Sequence, residues 1–346
     1  MNLLVRADAS AGVGRGHVMR TLALAQAWSD AGGTATFALA QPAPDLVALL
    51  ARHGMAVIDL PVDAGSVTDA ALTSSHAGRL GAVALVLDGY GFDAKYQRLV
   101  RTVGAELAVI DDAAHLPLYD ADIVLNHNLY ADPAMYAGRA PRARLVLGAR
   151  YALLRRDFIA WRQQQRTPAP AVRHLLISFG GSDVQNMAPT ALAAVARALP
   201  NRSLVRIVAG PSNPRLRELS ALVDGQSGVE VLVDGVDMPA QMAWADLVIG
   251  AAGSTTWELA MMGAPALLVI VAENQARIAE SAAAAGIARS VGWHADVTVE
   301  RLAAAVAELA GDAEARVEMS ARGRALIDGG GAARVVAALR IPAEVS

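Results

Sequence analysis

Short apolar runs alternate with amphipathic helical patterns along the chain, and this alternation constrains the fold more than any other feature. Amphipathic segments such as 19–32 and 188–199 lie between the apolar runs. Continuous apolar strands separated by helices predict parallel sheets that are covered on both faces. The runs predicted to form strands are residues 2–5, 34–40, 83–89, 107–112, 122–126, 145–148, 174–180, 204–210, 229–234, 246–251 and 265–271.

A polar and then proline-rich stretch, WRQQQRTPAPAV at 161–172, interrupts this pattern and has the composition of a linker. On each side of it the order strand, glycine-rich loop, helix begins anew. The 346 residues therefore predict an α/β protein of two Rossmann-like, doubly wound domains, 1–165 and 172–328, facing a central cleft. The last segment, 329–346, is predicted to be a helix that packs back on the first domain.

The composition argues against several classes of protein. The net charge is −3 and no basic stripe is visible, which disfavours nucleic-acid binding. The chain has no cysteine, which excludes disulfides and thiolate zinc sites. The apolar run at 265–272 is far shorter than the roughly 18 residues of a membrane span, and Arg6 interrupts the first apolar run. We therefore expect a cytoplasmic protein without stable membrane insertion.

The first glycine-rich loop, AGVGRGHVMR, places Gly12, Gly14 and Gly16 before His17. Its spacing is not the dinucleotide pattern GxGxxG, and no GK[ST] follows as in a Walker loop. Two interpretations of His17 remain open. It is either a solvent-facing residue at a helix start, or a neutral imidazole that accepts a proton as a general base, since a helix N-terminus disfavours the imidazolium.

A second loop, IGAAGSTTWEL at 249–259, follows an apolar run and opens a predicted helix. Backbone N–H groups at such a helix start form an anion site, and a carboxylate one turn later suits a ribose diol. The alternative is an ordinary N-cap with a first-turn acid. The residues predicted to bind diphosphate and ribose are Gly253, Ser254, Thr255, Thr256 and Glu258.

Two further strand ends carry polar residues. Gly180 and Gly181 in ISFGGSD either contribute to phosphate binding or form a plain strand-to-helix turn. Asn274, with Gln275, directly follows an apolar run, and its amide either binds a sugar or caps a helix.

Other polar residues end the strands of the first half, where doubly wound domains keep their functional groups. They are Asp8, Asp88, Tyr90, Asp111, Asp112 and Asn126. For most of these aspartates we expect a helix N-cap. The acidic DAD at 120–122 precedes its strand and is expected to be loop, and no metal site is predicted.

Taken together, RADASAGVGRGHVMRTLALA, LDGY, VIDD, LGARYALLRRDF, ISFGGSD, IGAAGSTTWEL and the trailing NQ resemble the PseG family of UDP-sugar hydrolases. These motifs occur in order from residue 5 to about 275. The more general similarity is to MurG-type glycosyltransferases. The resemblance implies a GT-B-like fold with the nucleotide in the C-terminal domain.

The resemblance also implies an activity. The family hydrolyses UDP-2,4-diacetamido-2,4,6-trideoxy-β-L-altropyranose to the free sugar and UDP in pseudaminic acid biosynthesis, by attack of water with inversion, without metal or other cofactor. By motif, His17 is the candidate base, and GSTTWE holds the nucleotide. Gly14, Gly16, Tyr90 and Asn274 lie at the sugar, with Tyr96 as a second candidate if Tyr90 is directed away.

Two other functions remain open from the sequence. A MurG-like glycosyltransferase would use the same nucleotide site with an acceptor other than water. A non-catalytic protein would bind the nucleotide sugar without turnover. The motifs predict neither the nucleotide base nor an oligomeric state.

Overall fold

The computed structural model describes residues 1–7, 16–101, 104–164, 166–199, 203–211, 213–233 and 235–340. The chain divides into two compact units. The N-terminal unit comprises Met1–Arg156 and Gly329–Ser346, and the C-terminal unit comprises Asp157–Asp328. Within the described ranges, no helix combines the length and the apolar character that crossing a membrane requires.

The N-terminal unit contains one parallel sheet in the order β3-β2-β1-β4-β5-β6-β7. The chain runs outward from β1 in one direction and then returns to add β4 on its other side, which is the doubly wound arrangement. The predicted fold class is therefore confirmed for this unit. Its strands are β1 (Asn2–Ala7), β2 (Thr34–Ala40), β3 (Ala56–Leu60), β4 (Ala82–Asp88), β5 (Glu106–Ile110), β6 (Ile123–Asn126) and β7 (Arg144–Leu147).

Helices cover both faces of this sheet because successive strand residues face opposite sides. Leu3 and Val5 pack on one face with the helix at the end of the chain, whereas Leu4 packs on the other. That last helix contacts the first one, so residues 331–340 belong to this unit. Its helices are α1 (Gly16–Asp30), α2 (Pro44–Arg52), α3 (Val67–Leu80), α4 (Ala94–Val100) and the last helix, which is α13 (Gly331–Arg340); a short helix, α5 (Arg156–Ile159), spans the unit boundary.

The C-terminal unit repeats the same topology, with the strand order β10-β9-β8-β11-β12-β13. All of its strand pairs are parallel. Its strands are β8 (His174–Ser178), β9 (Leu204–Val208), β10 (Val229–Leu232), β11 (Leu247–Ala251), β12 (Ala266–Ile270) and β13 (Arg289–Trp293). Its helices are α6 (Met187–Ala198), α7 (Leu216–Val223), α8 (Met238–Trp244), α9 (Thr255–Met262), α10 (Ala276–Ala284), α11 (Val299–Gly311) and α12 (Ala313–Leu326).

The polar stretch predicted as a linker is attached to the C-terminal unit by arginine side chains. Arg324 donates to the carbonyl of Arg162 at 2.7 Å, and Arg166 donates to the carbonyl of Met242 at 2.6 Å. These contacts lie within the C-terminal unit, which begins at Asp157. Composition indicates a break in the strand pattern but does not indicate these side-chain-to-carbonyl bonds.

Candidate active site

The carboxyl ends of β1 and β4 meet where the strand order of the N-terminal sheet reverses, the usual ligand position in such sheets. Helix α1 begins at Gly16, and His17 is its second residue. Asp88 is the last residue of β4. The fold thus brings a helix start and a strand end, 71 residues apart in sequence, into direct contact.

His17 and Asp88 form a buried imidazole–carboxylate pair. The His17 Nδ1 atom lies 2.6 Å from Asp88 Oδ1, and His17 is only 6% exposed. The interpretation of His17 as a solvent-facing residue is therefore wrong. Because an ionised carboxylate only accepts hydrogen bonds, Nδ1 carries a proton, and the tautomer that this contact favours leaves the lone pair on Nε2.

Arg20 lies one turn after His17 on α1 and connects two carboxylates. Its Nε and Nη2 atoms donate to both oxygens of Asp88 at 2.7 Å, and its Nη1 donates to Asp112 at 2.7 Å. Burial alone would raise the pKa of both carboxyl groups, but the guanidinium holds each pKa well below its usual range. Both aspartates are therefore ionised at neutral pH.

Asp112 is held in turn by the VLNHN segment that ends β6. Asn128 donates to Asp112 Oδ1 at 3.0 Å, and Asn126 donates to the Asp112 carbonyl at 2.9 Å. Burial lowers the pKa of His127 to about 4, so this ring is neutral at pH 7. These residues form a rigid polar support beneath Arg20.

Tyr90 follows β4 and is 42% exposed. Its ring centroid lies 5.1 Å from that of His17 and 5.4 Å from that of His115, in edge-on contacts. Tyr96, the alternative candidate, is instead 2% exposed and donates to Asp69 at 3.0 Å. Tyr90 is therefore the tyrosine of this segment that stands at the carboxyl edge beside His17.

The expectation that most strand-end aspartates are helix N-caps is wrong for three of them. Asp88 and Asp112 bind Arg20, and Asp111 accepts from His115, Tyr119 and Tyr136. The carboxyl ends of parallel strands lie side by side, so these acids find partners on other elements. Asp8 lies outside the described residues.

The GSTTWE segment opens α9 directly after β11. Ser254 occupies the N-cap position, but its side chain makes no capping hydrogen bond. Thr256 Oγ1 is buried and has no hydrogen-bond partner among the described residues. An ordinary serine side-chain cap does not describe this helix start. The N–H groups of Thr256 and Trp257 already bond the carbonyls of Gly253 and Ser254 at 3.0 Å each, so an anion here would meet the N–H groups of Ser254 and Thr255.

The Gly180–Gly181 turn precedes a helix whose start, unlike that of α9, is capped by a side chain. Gly180 takes a φ of +80°, and the Asp183 side chain accepts from the N–H groups of Met187 and Ala188 at 2.9 Å each. The N-terminus of α6 is thus already capped by a carboxylate. Any contribution of the two glycines to nucleotide binding depends on the loop backbone.

The remaining predicted residues are distributed over both units. Gly16 opens α1 and is exposed, whereas Gly14 lies outside the described residues. Asn274 is exposed in a single 3-10 turn, Glu273–Gln275, after β12. Glu258 lies in the first turn of α9. Across the residues described, no cluster of three or more histidines and acids has the arrangement to hold a metal ion.

Sequence reasoning did not identify Arg20 or His115. Arg20 stands three residues after His17, a spacing that puts both side chains on one helix face, and this signal was available. His115 stands four residues after Asp111, but both lie in a loop, where this spacing does not predict that two side chains share a face.

The two doubly wound units, compared with solved structures, give this chain the GT-B fold. MurG of Acinetobacter baumannii aligns with a TM-score of 0.65 and 17% identity over 98% of this chain and 99% of that one. This likeness confirms the predicted fold class. Residues 175–328 also match the glycosyltransferase family 28 C-terminal domain.

Two relatives extend the comparison. The UDP-2,4-diacetamido-2,4,6-trideoxy-beta-L-altropyranose hydrolase of Campylobacter jejuni is 24% identical over 283 residues, 80% of this chain and 93% of that protein. The UDP-N-acetylglucosamine--N-acetylmuramyl-(pentapeptide) pyrophosphoryl-undecaprenol N-acetylglucosamine transferase of Halorhodospira halophila is 35% identical over 174 residues, 48% of each chain. The resemblance to the PseG family is confirmed by the first of these.

Proposed function

We propose that this protein is a UDP-sugar hydrolase that releases UDP from a diacetamido-trideoxy sugar, as a step of pseudaminic acid biosynthesis. The observation that carries the proposal is the buried His17–Asp88 pair, held by Arg20, at the carboxyl edge of the N-terminal sheet. Similarity to the hydrolase of Campylobacter jejuni over 80% of the chain supports the same reaction.

In the proposed step, His17 acts as the general base. Its Nε2 takes a proton from water as the water oxygen bonds to the anomeric carbon, while the bond from that carbon to UDP breaks and UDP leaves with the electron pair. Asp88, bonded to Nδ1, keeps the ring in the tautomer that leaves Nε2 unprotonated. Attack of water on the face opposite UDP inverts the anomeric configuration.

The charges around His17 favour this proton transfer. Asp88 and Asp112 carry two negative charges, and Arg20 carries one positive charge. These three side chains therefore carry a net charge of −1, which the imidazole offsets when it accepts the proton. Interactions between such buried charges are stronger than in water because the local dielectric is low.

The C-terminal unit supplies the nucleotide site in this proposal. Ser254 and Thr255 at the start of α9 bind the diphosphate, which the N–H groups and the helix dipole stabilise as it departs, and Glu258 binds the ribose. Tyr90, Gly14, Gly16 and Asn274 contact the sugar.

The direct test is release of UDP from the UDP-sugar by purified protein in the presence of EDTA, with the first-formed anomer identified by NMR. We expect turnover without added metal or acceptor and with inverted configuration. Absence of UDP release under these conditions would contradict the hydrolase proposal. Parallel assays with UDP-, GDP- and CMP-linked amino sugars identify which nucleotide base the protein accepts.

A charge placed at the start of α9 tests the nucleotide site. Ser254→Asp is expected to weaken UDP binding about tenfold or more, because the new carboxylate occupies the helix N-terminus and repels the diphosphate, while the same charge favours the helix dipole and leaves stability unchanged or higher. The measurement is calorimetric titration with UDP beside thermal unfolding. Thr298→Asp is the control, since Thr298 caps α11 by bonding the N–H of Arg301. Unchanged UDP affinity in Ser254→Asp contradicts the assignment.

A MurG-like glycosyltransferase is the second candidate, favoured by the 35% identity to the Halorhodospira halophila transferase over 174 residues. It would use the same nucleotide site and the same base to activate an acceptor hydroxyl. Release of UDP only after addition of an acceptor would favour this function. UDP binding without turnover under any condition would instead indicate a binding protein.

A further inference from the structure

A second imidazole–carboxylate pair lies beside the one that contains His17. The His115 Nδ1 atom lies 2.7 Å from Asp111 Oδ1, and the Asp111 side chain is fully buried. We propose that His115 is a second substrate-contacting residue, whose Nε2 accepts a hydrogen bond from an N–H or O–H group of the sugar. This inference rests on the proposed function, because it names a further residue on the sugar side of that site.

The tautomer of His115 follows from its partner. Burial would raise the pKa of Asp111, but hydrogen bonds from His115, Tyr136, Tyr119 and the N–H of Ala114 lower it, so the carboxylate is ionised and only accepts. Nδ1 is therefore the donor to Asp111, and the tautomer that this contact favours leaves Nε2 as an acceptor. Among the described residues, no side chain or backbone group is hydrogen-bonded to this Nε2.

A purely structural role explains this arrangement less well. Asp111 already accepts from the hydroxyls of Tyr119 and Tyr136 at 2.8 and 2.7 Å and from the N–H of Ala114 at 2.6 Å. The carboxylate is thus satisfied without an imidazole. His115 is also the accessible member of the pair, with 29% of its side chain exposed. The buried network holds the ring at the surface instead of taking it into the core.

The position of the ring connects it to the base. Tyr90 stands between His17 and His115, with its ring in edge contact with both at interplanar angles of 83° and 80°. The three rings form a row by contact in the order His17, Tyr90, His115, with Tyr90 after β4 and His115 after β5. Water is activated at one end of this row, and the other end meets the body of the sugar. Acetamido groups carry the N–H donors that a neutral Nε2 recognises.

Binding measurements in the His17→Ala background, in which turnover is expected to be slow, test this assignment. His17→Ala protein is titrated by calorimetry with UDP-2,4-diacetamido-2,4,6-trideoxy-β-L-altropyranose and with UDP, and compared with the double variant that also carries His115→Ala. We expect the Kd for the UDP-sugar to rise about tenfold, as for a lost hydrogen bond with an unsatisfied partner, and the Kd for UDP to stay within twofold. His76→Ala on α3 in the same background is the matched control.

The outcomes separate this proposal from the hydrolase proposal. A Kd for the UDP-sugar within threefold of the parent value overturns the role of His115, and so does an equal weakening for UDP, which lacks the diacetamido sugar. If His115→Ala does not fold, as judged by circular dichroism, His115→Gln is used in its place. The Kd values of variant and parent are then compared for the UDP-sugar and for UDP by the same criteria. Turnover is measured separately on the unsubstituted protein, so hydrolysis can fail while the difference between the two Kd values still decides the role of His115.

Discussion

His17→Ala is expected to lower kcat for UDP-sugar hydrolysis by about 10²–10⁴-fold, the usual contribution of a positioned general base. The KM is expected to change by no more than a few-fold, because the nucleotide is bound by the other unit. Steady-state release of UDP is the measurement. A variant that retains the full rate contradicts the assignment of the base.

Chemical rescue separates a base from a structural residue at this position. Removing the ring leaves a space beside Asp88, which is buried and already oriented by Arg20. Added imidazole is therefore expected to restore part of the lost rate in His17→Ala, with saturation. His76→Ala, which removes a histidine from α3, controls for loss of any imidazole and is expected to keep the full rate. A loss of rate that imidazole does not restore, accompanied by lower thermal stability, indicates a structural role.

The fold was predictable where strands lie inside a sheet. Strands such as β11 and β12 are buried on both faces, so their residues are continuously apolar and the sequence pattern identifies them. Two strands were missed, β3 and β13, and both lie at the edge of their sheets. Edge strands pair on one side only, so Asp59 in one and Arg289 and Gly292 in the other interrupt the apolar pattern.

The site was predictable only in part, for a related reason. His17 and Tyr90 follow strands, and local motifs are enough to single them out. Arg20 gains its role from partners that are 68 and 92 residues away. The pattern of one segment does not carry such pairings, and the local rule that an isolated aspartate caps a helix therefore gave the wrong role for Asp88.

Arg20→Met is expected to destabilise the N-terminal unit by about 3–5 kcal/mol at pH 7, because it leaves two buried carboxylates without their cation. In the unsubstituted protein the lowered pKa values of Asp88 and Asp112 stabilise the fold above the unfolded carboxyl pKa of about 3.9, and this stabilisation is lost as the pH falls through the folded values. Urea unfolding at pH 7.5 and at pH 5, with hydrogen exchange of β4 and β5, is the measurement.

The loss of stability in Arg20→Met is expected to depend on pH. Without the guanidinium, burial raises the pKa of both carboxyl groups above the unfolded value, so the folded variant binds more protons than the unfolded chain and gains stability as the pH falls toward 4. The difference from the unsubstituted protein therefore shrinks between pH 7.5 and pH 5. Arg98→Met is the control, because Arg98 is 54% exposed and its 3.7 Å contact with Asp120 is a surface ion pair worth at most about 1 kcal/mol. If Arg20→Met lowers the free energy of unfolding by the same amount at both pH values, the prediction is wrong. Arg20 would then stabilise the fold by packing of its aliphatic stem and not by neutralising the two aspartates.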